Sequence, residues 1–264
     1  MTNRTRPYRI SITGIDGVGK DSIIQTALTQ LSVEQGLTAM KLGRPSYKVV
    51  DGQTSQVYRE ITEPIDRLHR QVDRRNDPDG VVGVGFLHFL TQTRLLEADI
   101  LDSPHPPDLL VSARDPRVDW ATYFSYYAPK LVERTTPLER FDIMQALTGG
   151  ERDLVIQLLV EPTTAVARIE QRIREQEAVK AATGALAATV RDKWRHPHED
   201  ELNLAMLVEA YEPVLDALHA RRPHTTIIKI DTNGRSAQVV AEIVAATIVD
   251  ARAGVVAPGE RLCR

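Results

Sequence analysis

The sequence predicts an α/β protein built on a parallel sheet, and three observations carry that expectation. A strand-like stretch from Tyr8 to Thr13 runs into a Gly-x-x-x-x-Gly-Lys loop, Gly14-Ile15-Asp16-Gly17-Val18-Gly19-Lys20, and then into a helical pattern. Short apolar runs recur further along, separated by stretches of helical spacing, which is the order of βα units. Two of these runs, Asp108 to Ala113 and Leu154 to Val160, are apolar almost throughout, as strands covered by helices on both faces must be.

The first strand alternates polar and apolar residues, and the helix after the loop places Ile23, Ile24, Ala27, Leu28 and Leu31 at helical spacing. Between them, Gly14, Gly17 and Gly19 permit backbone conformations closed to other residues, so that successive N–H groups converge on an anion. The helix that begins near Lys20 offers its unpaired N–H groups and positive dipole end to the same anion. Lys20 adds a mobile point charge able to follow a phosphoryl group. Such a strand, loop and helix together read as a phosphate site rather than an ordinary glycine turn. Where Ser or Thr usually supplies a hydroxyl to Mg²⁺ there is Asp21, followed by Ser22. Either the Asp21 carboxylate takes the metal, or its charge leaves that role to Ser22.

Composition narrows the function classes. The 264 residues suit one domain, taken as 1–250 with a tail 251–264, and are enough to bury a substantial core. With 42% hydrophobic and 26% charged residues and a formal net charge of −3, nothing points to nucleic acid or an anionic membrane as a partner. The single cysteine, Cys263, excludes an intramolecular disulfide and a cysteine metal cluster. No apolar window approaches the length of a membrane span or a signal peptide, so the expectation is a soluble, cytoplasmic protein.

Taken in order, Gly36 closes the first helix and Thr38 to Leu42 forms a second strand, which ends at Gly43-Arg44-Pro45. Strand ends of this kind line the ligand crevice of an open parallel sheet, so Arg44 is a candidate for an anionic substrate, or else a solvated loop arginine. Residues 49–80 read as a charged surface insert. A helix from Val81 to Leu101 then brings Phe86, Leu90 and Arg94 to one face at i, i+4, i+8, with Arg94 either snorkelling to water or reaching the crevice. The strand at Asp108–Ala113 opens into Arg114-Asp115-Pro116-Arg117-Val118-Asp119. Two arginines there suit a phosphate or carboxylate, and Asp115 suits Mg²⁺ or the proton of an attacking group; a salt-bridge network is the other reading. Trp120, Tyr123, Phe124, Tyr126 and Tyr127 follow, dense for a chain with 5% aromatic residues, and Tyr123 is taken as the one that meets a substrate ring.

After the strand Leu154–Val160, Pro162 opens a helix carrying Arg168, Arg172 and Arg174, and a charged, alanine-rich interval continues it. The interval 172–198 reads as a lid, which keeps water from a transferring group. His196 and His198 are separated by Pro197 and lack further clustered ligands, which argues against a metal pair. A long helix from Glu199 to Ala220, a last strand Thr226–Ile230, the turn Asp231 to Gly234 and a closing helix Ser236–Val249 complete the domain. The remainder reads as a loose tail.

These pieces resemble the thymidylate kinase family of nucleoside monophosphate kinases. The loop, with Asp16 inside it, is similar to that family's Gly-x-Asp-Gly-x-Gly-Lys form; Arg44-Pro45 to its Arg-Glu-Pro; Arg94 to its substrate-facing arginine; and the strand into Arg114 to its Asp-Arg pair. Pro162 with Arg168 and Arg172 is similar to the helix before its lid. The chain departs from the pattern at Leu90, where an aromatic residue is expected, at Ala113 with the acid displaced to Asp115, at Asp21, and in the length of the insert.

The resemblance implies the three-layer sandwich of P-loop NTPases, with about five parallel strands and an arginine-bearing lid, working as a homodimer on a small-molecule nucleotide. It implies ATP and Mg²⁺ as cofactors, in-line transfer of the γ-phosphoryl to dTMP or a related pyrimidine deoxynucleotide, and catalysis by positioning and charge neutralisation. Lys20 and the loop from Gly14 through Gly17, Val18 and Gly19 would hold the donor, with Asn233 on its adenine side. Asp16, Asp21, Ser22 or Asp115 would lie near the metal. Arg44, Phe86, Leu90, Arg94, Arg114, Arg117 and Tyr123 would meet the acceptor, and Arg168, Arg172 or Arg174 would be the closing arginine. Two rivals use the same loop. A kinase of a nucleoside or small alcohol would need Asp115 or Asp16 as a base, and a regulatory nucleotide-binding protein would hydrolyse slowly. Against a guanine-reading switch, the chain has no Asn-Lys-x-Asp element.

Overall fold

A computed structural model of the protein describes residues 6–42, 63–65, 67–68, 71–72, 80, 83–85, 87, 90–182, 198–257 and 259–263. Six strands, β1 (Tyr8–Thr13), β2 (Ala39–Leu42), β3 (Leu109–Ser112), β4 (Leu154–Leu159), β5 (Thr226–Asp231) and β6 (Arg261–Cys263), form one sheet in the order β2-β3-β1-β4-β5-β6. Every neighbouring pair is parallel. Ile10, Leu109, Val111, Val155, Ile156, Ile227 and Ile228 are fully buried, which accounts for the apolar runs in their strands.

Helices flank the sheet in two groups. In one, α1 (Lys20–Gln35) packs against the helix Ala237–Arg252; in the other, helices Pro116–Tyr127, Pro137–Thr148 and Glu201–Arg221 pack together, and the last of these also meets Pro162–Ala182. From Glu97 onwards the helices, in chain order, are α2 (Glu97–Asp102), α3 (Pro116–Tyr127), α4 (Pro129–Val132), α5 (Pro137–Thr148), α6 (Pro162–Ala182), α7 (Glu201–Arg221) and α8 (Ala237–Arg252). Local chemistry sets several of their ends. Gly36 ends α1 in the left-handed region at φ 63°, and Thr136 and Glu139 form a reciprocal capping box on α5.

The order of strands positions the site. β1 lies between β3 and β4, with Ser11 level with Ser112 and Thr13 level with Gln157. The loop leaving β1 therefore rises between the carboxyl ends of its two neighbours, where open α/β sheets hold ligands.

Two expectations are corrected. The sheet has six strands among the described residues rather than about five, because part of the tail read as loose forms β6. Backbone bonding of Ile227 N to the Glu260 carbonyl (2.9 Å) seats it, as do ion pairs from Arg261 to Glu212 (2.8 Å) and Asp216. Three residues with charged anchors leave no periodic signal. The helix expected over 81–101 is also not regular: Thr91–Leu96 is a π-helical stretch leading into α2, and its wider turn shifts the i, i+4 face on which Arg94 was placed. The expected insert and lid lie largely outside the described residues.

Candidate active site

The loop from Gly14 to Lys20 takes the conformation that its glycines allow. Gly14 and Gly17 have φ of 140° and 84°. A Cβ on either would stand 2.5 Å from a backbone oxygen, of Leu158 in β4 and of Ala165 in α6 respectively. Close approach to two elements as well as positive φ thus requires glycine at both positions. Gly19 forms the N-cap of α1 without a side-chain acceptor, so the first-turn N–H groups are offered to an external anion. Lys20 folds back over the loop, its Nζ donating to the carbonyls of Gly14 (2.6 Å) and Ile15 (2.9 Å). Burial and then the nearby Arg114 charge pull its pKa down to about 8, against the opposing pull of Asp16, Asp119 and Asp21.

Asp16 is the hub of the site. Its Oδ1 accepts from Arg114 Nη2 at 2.6 Å, and its Oδ2 meets Tyr123 Oη and His198 Nε2, each at 2.8 Å. Burial pushes this carboxyl up, but Arg114, the hydrogen bond from His198 and Lys20 outweigh it and hold the group well below the usual carboxylate range. The Arg114 guanidinium also lies over the Tyr123 ring, 5.2 Å from its centroid, and approaches Asp119 at 3.6 Å.

Asp115 has a different role from the one expected. Its carboxylate caps α3, accepting from the N–H groups of Arg117 (2.9 Å) and Val118 (3.3 Å), and binds the Arg117 guanidinium through Nε (3.0 Å) and Nη2 (2.7 Å). Burial pushes this carboxyl up and Arg117 overrides that, driving it far below the ordinary range. Arg117 continues to Gln145 Oε1 at 3.1 Å, and the side chains of the pair are 1% and 0% exposed. Neither is open to a metal or a substrate. Of the acids that follow Arg114, the one that joins Asp16 beside its guanidinium is Asp119, one helical turn later. Its Oδ2 accepts from Asp115 N (2.6 Å) and its Oδ1 from Tyr211 Oη (2.8 Å), and burial pushes its carboxyl up, partly offset by Arg114 and Lys20.

Other expected residues fall around this hub. Asp21 projects from the first turn of α1 with its side chain 82% exposed and pairs with Lys41 of β2 at 2.6 Å; Ser22 is exposed beside it. Arg168 of α6 ties the loop to the far side of the sheet, donating to Thr232 O (3.1 Å), Thr232 Oγ1 (3.3 Å) and Val18 O (3.4 Å). Asn233 is built into the loop after β5, accepting from Glu161 N at 2.9 Å and donating to Asp231. Arg172 pairs with the buried Glu199 at 3.4 Å, and Arg174 is exposed. Arg94 donates to the carbonyls of Ala146 (3.1 Å) and Leu147 (3.3 Å) at the end of α5, a helix-capping role. Leu90 is half-buried. Arg44 and Phe86 lie outside the described residues.

Sequence reasoning missed His198, Asp119 and Tyr211. His198 was weighed only as half of a metal pair, and among the described residues no group of three metal-ligating side chains occurs. The signal for Asp119 was its spacing, since the fourth position after Asp115 returns to the same side of a helix.

The arrangement can hold a multiply charged anion. A glycine loop at a helix start, a buried lysine and a half-buried arginine converge, while two carboxylates, Asp16 and Asp119, hold the arginine in place. No protein-family model and no curated protein matches the chain.

Proposed function

We propose that the protein transfers the γ-phosphoryl group of ATP to a nucleoside monophosphate, with dTMP or a related, including modified, pyrimidine deoxynucleotide as the acceptor. The sheet order and the loop are compatible with a P-loop NTPase sandwich, and the loop with Lys20 supports the donor half of the reaction. One observation favours a phosphate acceptor over a neutral hydroxyl. Phosphorylating an alcohol calls for a base, and the three acids around Arg114 are all spent on hydrogen bonds within the protein, Asp16 with Arg114 and His198, Asp115 with Arg117, and Asp119 with Asp115 N and Tyr211. A monophosphate brings its own anionic nucleophile. It needs cations to neutralise it, and Arg114 supplies one beside the loop.

Each residue then has a role. Lys20 leaves the Gly14 and Ile15 carbonyls to follow the transferring group, and the loop N–H groups cradle the donor phosphates. Arg114, oriented by Asp16 and Asp119, holds the acceptor phosphate in line. Arg168 keeps the loop in register with the segment after β5. Asp21 and Ser22 carry the oxygen donors that would hold Mg²⁺, which would supply positive charge to neutralise the donor phosphates.

The test is ADP release from ATP and Mg²⁺ across a panel of nucleoside monophosphates and nucleosides, with an acceptor-free control and Lys20→Ala. Stimulation by dTMP or a related monophosphate, lost in the variant, is the expected outcome. Stimulation by nucleosides alone would mean an alcohol kinase, and ATP binding with no acceptor effect would mean a regulatory protein.

A further inference from the structure

The residue next to the phosphate loop that the activity leaves without a part is His198, three residues before the start of α7. Its side chain is 5% exposed. Three rings surround the imidazole, those of Tyr123, Tyr126 and Tyr127, with centroids at 5.4, 5.6 and 5.5 Å. Both ring nitrogens are engaged: Nε2 lies 2.8 Å from Asp16 Oδ2, and Nδ1 lies 2.7 Å from Tyr127 Oη. An ionised carboxylate only accepts, so Nε2 carries a proton; in the neutral ring Nδ1 then accepts the Tyr127 hydroxyl proton. The chain Tyr127 to His198 to Asp16 thereby selects one tautomer and one ring orientation.

We propose that His198 is a positioning residue for Asp16. Oδ2 of that carboxylate is fixed by two donors, His198 and Tyr123, which turns Oδ1 towards Arg114. Without the imidazole, Asp16 keeps Arg114 and Tyr123 but loses the donor that comes from outside α3 and its approach. The carboxylate can then rotate about its χ2, and the Arg114 guanidinium moves with it. Ile15 and Val18 anchor the loop in the core, which leaves the orientation of its one acidic side chain, Asp16, to the donors that reach it from outside. The kinetic consequence rests on the phosphoryl-transfer reading; the hydrogen-bond chain does not.

Two isosteres separate the two nitrogens. In His198→Gln the amide nitrogen reaches the place of Nε2 and keeps the bond to Asp16, whereas in His198→Asn it reaches only the place of Nδ1. The expected result is that the Gln variant stays within about threefold of wild-type kcat, while the Asn variant loses about 10- to 100-fold with KM for ATP little changed, since misplacement of about 1 Å can cost that much. Equal kcat in the two variants, with equal losses of Tm, would reduce His198 to packing and overturn the proposal. Nitrogen-15 NMR of the ligand-free protein reads the chain directly: an Nε2–H tautomer that is perturbed in Asp16→Asn is expected, and an Nδ1–H tautomer overturns it. A wild-type protein with no transferase activity but the Nε2–H tautomer would sink the transferase reading and leave the positioning of Asp16 standing.

Discussion

Asp115 binds Arg117, two residues further along its own helix, through two hydrogen bonds of 2.7 and 3.0 Å, and both side chains are buried. An acid used in this way holds the fold, not a metal. Asp115→Asn leaves a buried guanidinium without its counter-charge, so a loss of about 3–5 kcal/mol in stability is expected, read by denaturant unfolding at pH 7. The Mg²⁺ concentration for half-maximal activity should not move; a shift in it with stability intact would return Asp115 to the metal. Because the folded carboxyl is depressed, its contribution is complete above the unfolded value near 4 and is lost as pH falls below it.

Lys20 gives the opposite pH signature. Its folded pKa of about 8 lies below the ordinary 10.5, so between those values the unfolded chain binds more protons than the folded one. Stability from this group therefore rises with pH across that window and is flat above it. Wild type should gain on Lys20→Met by up to about 3 kcal/mol between pH 8 and 10.5, at 1.36 kcal/mol per pKa unit. An anion in the loop favours the charged form, so ATP binding near pH 8.5 should take up protons, seen as a dependence of the calorimetric heat on buffer ionisation. Equal heats in all buffers would contradict this.

Gly17→Ala should be poorly tolerated. The added methyl meets the Ala165 carbonyl at 2.5 Å, and the backbone φ of 84° is unfavourable for alanine. A loss of about 1–3 kcal/mol is expected for an L residue held there. ATP affinity should fall with it, since the loop can relax only by leaving α6. Unchanged affinity in titration calorimetry would show that the loop does not bind the nucleotide.

Arg114→Lys keeps a positive charge but loses the fork that reaches both Asp16 and Asp119. About a 100-fold loss in kcat/KM for the acceptor is expected, with KM for ATP within about threefold. A loss confined to ATP would move Arg114 to the donor side.

Arg94→Ala should leave KM for the acceptor unchanged, because its guanidinium is spent on the Ala146 and Leu147 carbonyls. The expected cost is about 1 kcal/mol or less, as for other cations at exposed helix ends. A raised KM without loss of stability would restore the substrate-facing role.

Much of the fold was legible because its signals are local. The β1 strand, the glycine loop and the start of α1 are set by residues adjacent in the chain, and the buried strands β3 and β4 announce themselves by unbroken apolar runs. β6 was not legible, since three residues held by Arg261 on Glu212 and Asp216 carry no pattern until α7 is beside them. The π-helical stretch at Thr91–Leu96 likewise has no counterpart in the residue spacing, which reads as an ordinary helix.

For the site the division falls at Asp16. The sequence by itself determined that a glycine-rich loop follows β1 into a helix, that Lys20 and Asp16 belong to it, and that Arg114 leaves the end of a neighbouring strand; glycine backbone freedom and strand order suffice for that. Only the tertiary structure decided which acid serves which arginine. Asp115 and Asp119 sit four residues apart, yet one is closed on Arg117 and the other turned to Tyr211 and Arg114. His198 reaches Asp16 across 182 positions of chain. Pairings of that kind depend on how burial and charge balance once helices from distant parts of the chain meet, and no local pattern encodes that balance.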